Sequence, residues 1–319
     1  MLFHMNTRSF GSIIVPSVGA RAALLLISAL LGASATAHGQ IFVANPGLDT
    51  ISEFNLDGSV IDENFITGLN GPESLLLSGS DLFVVNNGSG TIGEYTTSGL
   101  TVNASLVTGL TQPRGLAISG SDLFVANTGA GTVEEYTTAG SSVGTLLSGL
   151  NGPYGLAVSG TDMYVSIENS GTGPQIGLYT TSGGTTNATL VTFSNGAQPY
   201  YLAVSGSNLF VGDNTPGTIS EYTTGGTVEN ATLVTGLHGL GGVSVVGSDL
   251  YVSAQGTSIG VATVGLYTTT GGIIDASLIS GQSATYGVVV VPEPSTYAML
   301  AGGSALMVAG WRRRGRKIA

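Results

Sequence analysis

Along residues 41–291 the chain is a succession of short apolar runs, four to seven residues each, separated by clusters of Gly, Asn, Asp and Ser. The runs are rich in Val, Leu, Thr and aromatic residues, and the punctuation is that of tight turns, so the pattern predicts strands. In "DLFVVN", Leu82 and Val84 point to one side of a strand while Phe83 and Val85 point to the other. Both faces are apolar, so such a strand must be covered on both sides.

The runs recur in register. "GPESLLLSGSDLFVVNNGSGTIGEYTTSGLTVNASLVTGL" begins at Gly71 and "QPRGLAISGSDLFVANTGAGTVEEYTTAGSSVGTLLSGL" at Gln112, with further copies from Gly152, Gln198 and Gly239. The aromatic markers Phe54, Tyr95, Tyr136, Tyr179, Tyr222 and Tyr267 fall 41, 41, 43, 43 and 45 residues apart. Four strands in a unit of roughly 40–45 residues is the sequence signature of a β-propeller blade. Five units are complete. The leading segment, Ile41–Leu69, lacks a first strand, and "TYGVVVV" (Thr285–Val291) supplies one at the other end. A ring left open would expose strand edges and one blade face. The expectation is therefore an all-β, six-bladed propeller of four-stranded blades, closed by its C-terminal strand. The marker Tyr residues are expected to pack between blades.

Composition sharpens this in two respects. Charged residues are 8% of the chain and Gly numbers 51, whereas 42% hydrophobic content is far above that of a disordered polymer. Between His38 and Val291 a single base, Arg114, stands against eighteen acids, a net charge of −17. Such a surface repels phosphate backbones, which excludes nucleic acid as a partner. Cysteine is absent, so disulfide and thiolate chemistry are excluded as well.

The two ends follow another logic. Arg8 and Arg21 precede the apolar run Ala22–Ala33, and Ala35-Thr36-Ala37 supplies small residues for a cleavage site. Residues 1–37 therefore read as a secretory signal cut near Ala37, leaving a propeller domain over 38–291. Residues 292–319 form a third segment. Its apolar run, Tyr297–Trp311, falls short of the ~20 residues a spanning helix prefers, and Arg312, Arg313, Arg314, Arg316 and Lys317 follow it. That order predicts a short C-terminal transmembrane helix whose basic tail stays cytoplasmic.

The order Pro292-Glu293-Pro294, apolar segment, then Arg312, Arg313 and Arg314 at the extreme terminus resembles the PEP-CTERM sorting signal of Gram-negative bacteria. The resemblance implies an exosortase as partner, transient anchoring in the inner membrane, and delivery to the cell surface or an extracellular matrix, often beside exopolysaccharide. The repeats of residues 41–291 resemble those of NHL-type propellers, including streptogramin lyases and gluconolactonases, at the level of fold.

Candidate chemistry lies where the repeat varies. After the Gly-Pro or Gln-Pro that opens each unit stand Glu73, Arg114, Tyr154, Tyr200, Gly241 and, after Thr285, Tyr286. These side chains are placed at the channel mouth, where Tyr rings suit the flat face of a sugar; the bland alternative is loop packing with one Glu–Arg surface pair. A second ring follows "LFV": Asn45, Asn86, Asn127, Ile167, Asp213 and Ala254, with Glu168, Asn214 and Gln255 one position later. Asn127, Glu168 and Asp213 offer oxygen ligands for a hard cation such as calcium. Asn and Asp also cap turns after strands, and both readings stand. Catalytic signatures are sparse: His238 has no carboxylate beside it in sequence, and the recurring "SGSD" marks a hairpin turn. "NAS" at Asn103 and "NAT" at Asn187 and Asn230 read as hairpin features of the repeat. The expected function is a non-enzymatic, exported binding or structural module for polysaccharide or protein. The alternative is a secreted, metal-dependent hydrolase or lyase of the lactonase kind.

Overall fold

The computed structural model describes residues 39–170, 173–194, 196–256 and 262–292. The expected secretory signal 1–37, Glu293, Pro294, the expected transmembrane run Tyr297–Trp311 and Arg312–Arg314 lie outside the described residues. Gly39–Ser295 forms a compact unit by itself.

Within it, six antiparallel four-stranded sheets form the six blades. Blade 1 holds β1 (Gln40–Asn45), β2 (Thr50–Asn55) and β3 (Val60–Ile66). Blade 2 holds β4 (Pro72–Ser78), β5 (Asp81–Asn86), β6 (Thr91–Thr96) and β7 (Thr101–Val107). Blade 3 holds β8 (Pro113–Ser119), β9 (Asp122–Asn127), β10 (Thr132–Thr137) and β11 (Ser142–Leu147). Blade 4 holds β12 (Pro153–Ser159), β13 (Asp162–Ser170), β14 (Gly173–Thr180) and β15 (Thr185–Thr192). Blade 5 holds β16 (Pro199–Ser205), β17 (Asn208–Asp213), β18 (Thr218–Thr223) and β19 (Val228–Val234). Blade 6 holds β20 (Leu240–Val246), β21 (Asp249–Ala254), β22 (Ala262–Thr268) and β23 (Ile273–Gln282). The strand that completes blade 1, β24 (Val288–Val291), comes from the far end of the chain and pairs with β1.

The two-sided strands are covered as their pattern requires. Leu82 and Val84 pack with Phe42, Ala44 and Ile51 of blade 1. Phe83 and Val85 pack with Leu116, Leu123 and Val125 of blade 3. Each of the six apolar clusters spans one pair of neighbouring blades, so the core is a ring of six layers. Burying a side chain such as Phe124, which is fully enclosed, stabilises a layer by about 1.5–3 kcal/mol. Tyr95, Tyr179, Tyr222 and Tyr267 are buried in these layers, and Tyr136 packs against one of them.

Closure is shorter than the sequence suggests. Regular strand covers Val288–Val291 where Thr285–Val291 was expected, with Gln40 opposite Val291 and Val43 opposite Val288. Upstream, backbone bonds Tyr286 N–H to Ala44 O and Ala44 N–H to Gly287 O, both 2.9 Å, continue the contact to the mouth. Thr285 leaves the ladder because its hydroxyl donates to Ala254 O (3.1 Å) in blade 6.

The Asn of "NAS" and "NAT" is not at a hairpin tip. Asn103, Asn187 and Asn230 sit inside the outermost strand, each accepting the backbone N–H two residues on at 3.1 Å. That bond caps a β-bulge where the outer strand slips register against its neighbour.

Candidate functional site

The innermost strands β4, β8, β12, β16, β20 and β24 surround a channel of about 340 Å³. Its walls are apolar along the middle of these strands, for example Leu116, Leu156 and Leu202. Polar side chains gather where the inner strands begin. The strands run so close together that a Cβ on Gly155 would lie 2.3 Å from Tyr200 O, which explains the small residue at this position in most blades.

At the mouth the variable side chains form a chain of contacts from blade to blade. Arg114 Nη1 donates to Glu73 Oε2 at 2.7 Å and to Tyr154 Oη at 2.9 Å. The guanidinium carbon stands 4.8 Å from the centre of the Tyr154 ring, a cation–π distance. Tyr154 stacks on Tyr200, with centroids 4.1 Å apart and planes within 8°. Tyr200 Oη donates to Glu168 Oε1 at 2.7 Å. Glu73, Arg114, Tyr154 and Tyr200 are thus brought together, and Tyr286 lines the same cavity. Of the cation candidates, Glu168 joins the group through Tyr200.

Asn127 and Asp213 are engaged with loop backbone. Asn127 Oδ1 accepts Thr111 N–H at 2.7 Å. Asp213 Oδ1 accepts the N–H groups of Gln198 (2.7 Å) and Thr215 (3.2 Å). Both fasten the loop that enters the inner strand, a turn-capping role. Among the described residues no group of three or more His, Asp or Glu side chains stands close enough to hold a metal ion.

One aromatic was missed by the sequence reading. Tyr201 stands where other blades carry Gly115, Gly155, Gly242 or Gly287. Its ring meets Tyr154 and Tyr200 edge-on, with centroids at 5.7 and 6.2 Å. Room for it comes from its cross-strand partner Gly212, which replaces the Ala126 or Ser166 of other blades. A Cβ on Gly212 would lie 3.2 Å from Tyr201 Cβ. The signal was present in the sequence as two coupled exceptions to the repeat, one residue enlarged and its partner reduced.

The electrostatics follow from enclosure. Burial pushes the Tyr154 hydroxyl up to about 12 and drives Tyr200 and Tyr201 upward too, so all three stay protonated at any physiological pH. Burial also raises the Glu73 carboxyl, although Arg114 pulls the other way. Burial works against the charge of Arg114, but Tyr154 and Glu73 keep the guanidinium protonated. A second opening of about 330 Å³ at this end is lined by Tyr200, Tyr201, Glu168, Asn214, Gln255 and Tyr286, among others. It is a concave surface of hydroxyls, amides and ring faces, with the Glu168 carboxylate and the Arg114 guanidinium among them.

Comparison with known proteins bears on the ends and on the fold. A PEP-CTERM protein-sorting motif matches residues 290–314, beginning inside β24. The motif implies export, transient membrane anchoring and recognition by an exosortase. Among the described residues no helix is long and apolar enough to cross a membrane. No curated protein matches the chain. Among the solved structures that match this chain are three whose likeness concerns its propeller. One is a nidogen/laminin complex, 16% identical with a TM-score of 0.64, covering 79% of this chain and 98% of that one. Another is a functionally unknown protein from Desulfotomaculum acetoxidans DSM 771, 15% identical with a TM-score of 0.57, covering 81% and 100%. The third is a protein of unknown function from Bacteroides caccae, 12% identical with a TM-score of 0.59, covering 80% and 99%. At such identities the likeness concerns the fold alone.

Proposed function

We propose that this chain is an exported, exosortase-sorted propeller that works at the cell surface or in an extracellular matrix as a non-enzymatic binding module. Its channel mouth is the binding site. The observation that carries this reading is the connected set Glu73–Arg114–Tyr154–Tyr200–Glu168. Glu73, Arg114, Tyr154 and Tyr200 occupy a ring of positions where an otherwise repetitive chain varies, Glu168 follows a second such ring, and each is held by its neighbours. Locked aromatic and hydrogen-bonding groups lower the ordering cost of binding. The secretory segment 1–37 supplies the export route.

The geometry of closure supports the same reading. β24 begins beside Tyr286 at the mouth and ends at Val291, whose Cα partner is Gln40. Both ends of the folded chain therefore leave the propeller at the face opposite the mouth.

Two arms test the proposal. Replacing Pro292, Glu293 and Pro294 by Ala in the native host should leave the protein in the membrane fraction at its unprocessed size; normal maturation and surface delivery would refute the sorting half. The full-length chain in detergent should bind a subset of a glycan array, and Arg114→Ala/Tyr154→Ala should abolish that binding. Binding that survives the double substitution would remove the mouth from consideration.

A further inference from the structure

The contacts at the mouth run in one direction and then stop. Arg114 lies against Glu73, Tyr154 against Arg114, and Tyr200 against Tyr154, each side chain meeting the one from the preceding blade. The next position is Gly241. No side chain can be carried there, because a Cβ would lie 2.1 Å from Thr285 O and 2.7 Å from Tyr286 Cα, both backbone atoms. The stack of flat groups therefore ends at Tyr200. Tyr201 touches Tyr200 with planes at 87°, an edge contact that does not add a stacked layer.

The space beside that terminal ring is the opening of about 330 Å³, at the lower end of the ~300–1,000 Å³ typical of small-molecule sites. Its polar lining is mostly uncharged. Asn214 donates to Gln198 Oε1 at 3.0 Å, which leaves its own Oδ1 buried without a partner. Gln255 and Tyr286 line the same opening. Arg114, the one base of residues 38–291, is already occupied by Glu73 and Tyr154. The Glu168 carboxylate shares the opening with Arg114, and a surrounding charge of −17 repels an anionic ligand.

Resting on the reading of the mouth as a binding site, we infer that the ligand is a neutral sugar whose pyranose face lies in this opening beside Tyr200, where blade 6 offers no side chain to continue the stack. Its hydroxyls reach Gln255 and Tyr286. A pyranose matches this niche because one face is apolar C–H and its rim is all hydroxyl.

The test is saturation-transfer NMR and calorimetry on the full-length chain in detergent, with methyl glucopyranoside and methyl galactopyranoside, glucuronate and choline as probes. A neutral glycoside should receive saturation on its ring C–H protons, while glucuronate binds at least tenfold more weakly. Tyr200→Leu should abolish the transfer. Gln255→Ala, on a loop outside the packed layers, should weaken binding about tenfold without changing the melting temperature. Choline binding more tightly than every neutral sugar would overturn the inference in favour of a cation cage. So would Gln255→Ala and Tyr200→Leu proteins that remain folded and keep full affinity. If those two variants bind normally while Arg114→Ala/Tyr154→Ala does not, the mouth survives as the site and the Gly241 niche does not.

Discussion

The inner strands differ from blade to blade at their first residues and converge a few residues later. At the mouth stand Glu73, Arg114, Tyr154, Tyr200, Gly241 and Tyr286; further along, Leu75, Leu116, Leu156, Leu202 and Val243 recur. The recurrent part is buried between blades or lines the apolar channel. The variable part is partly open and touches its neighbours through rings and hydrogen bonds. One strand thus carries two burdens: interchangeable packing that closes the ring, and individual chemistry set on its rim. Repetition is tolerated where the demand is volume, and is abandoned at the rim.

The comparison can be broken first in the layers. Phe124→Ala should cost about 3–5 kcal/mol, because Phe124 is fully buried between blades 3 and 4; urea melts of the exported protein measure it. A loss under 1 kcal/mol would mean the layers are not what holds the ring. At the mouth, Arg114→Ala should cost less, about 1–3 kcal/mol, by leaving Glu73 enclosed without its partner. Glu73→Gln in the same chain should recover part of that loss.

The coupled exception in blade 5 comes next. Gly212→Ala should cost on the order of 1 kcal/mol by crowding Tyr201. Combined with Tyr201→Gly it should cost less than the two singles added, and the double-mutant cycle reads the difference. Strict additivity would show that the pair does not share space.

A smaller effect concerns acid. Glu53, Glu73, Glu94, Glu135 and Glu221 are each raised above 4.5 by burial, and Asp213 is raised above 3.8 for the same reason. For these groups the folded chain holds its protons at higher pH than the unfolded chain. Their contribution to stability is therefore complete below the unfolded values and is lost as pH rises through the folded ones. The exposed Asp57, lowered by its bonds to Ser59, runs the other way but stands alone among the resolved shifts. The melting temperature should be higher at about pH 5 than at about pH 7.5, and a monotonic fall on acidification would contradict this. Smallest of all, Val102→Thr on the exposed outer strand β7 should change stability by less than about 0.5 kcal/mol.

Much of the fold was legible because each blade repeats a local rule. Apolar runs on both faces of "DLFVVN" demanded neighbours on both sides, and a missing first strand in Ile41–Leu69 demanded a donor. The mouth was legible only in outline. Glu73, Arg114, Tyr154 and Tyr200 were singled out as departures from the repeat, and they do meet. Tyr201 was passed over because an aromatic beside an aromatic looks like ordinary strand composition; its meaning lies in Gly212, eleven residues away and opposite it in the sheet. Asn127 and Asp213 offered oxygens for a cation, but the direction of their bonds to loop amides is not written in residue type.

By itself, then, the sequence determined the number of blades, the strand that closes them, the acidity of the surface and the sorting signal at the end. Those depend on period, composition and order along the chain, which are one-dimensional properties. The tertiary structure alone decided which rings stack, which carboxylate Arg114 finds, and that the stack ends at Gly241. Those depend on distances between blades some forty residues apart in the chain, and a few tenths of an ångström separate a bond from mere proximity.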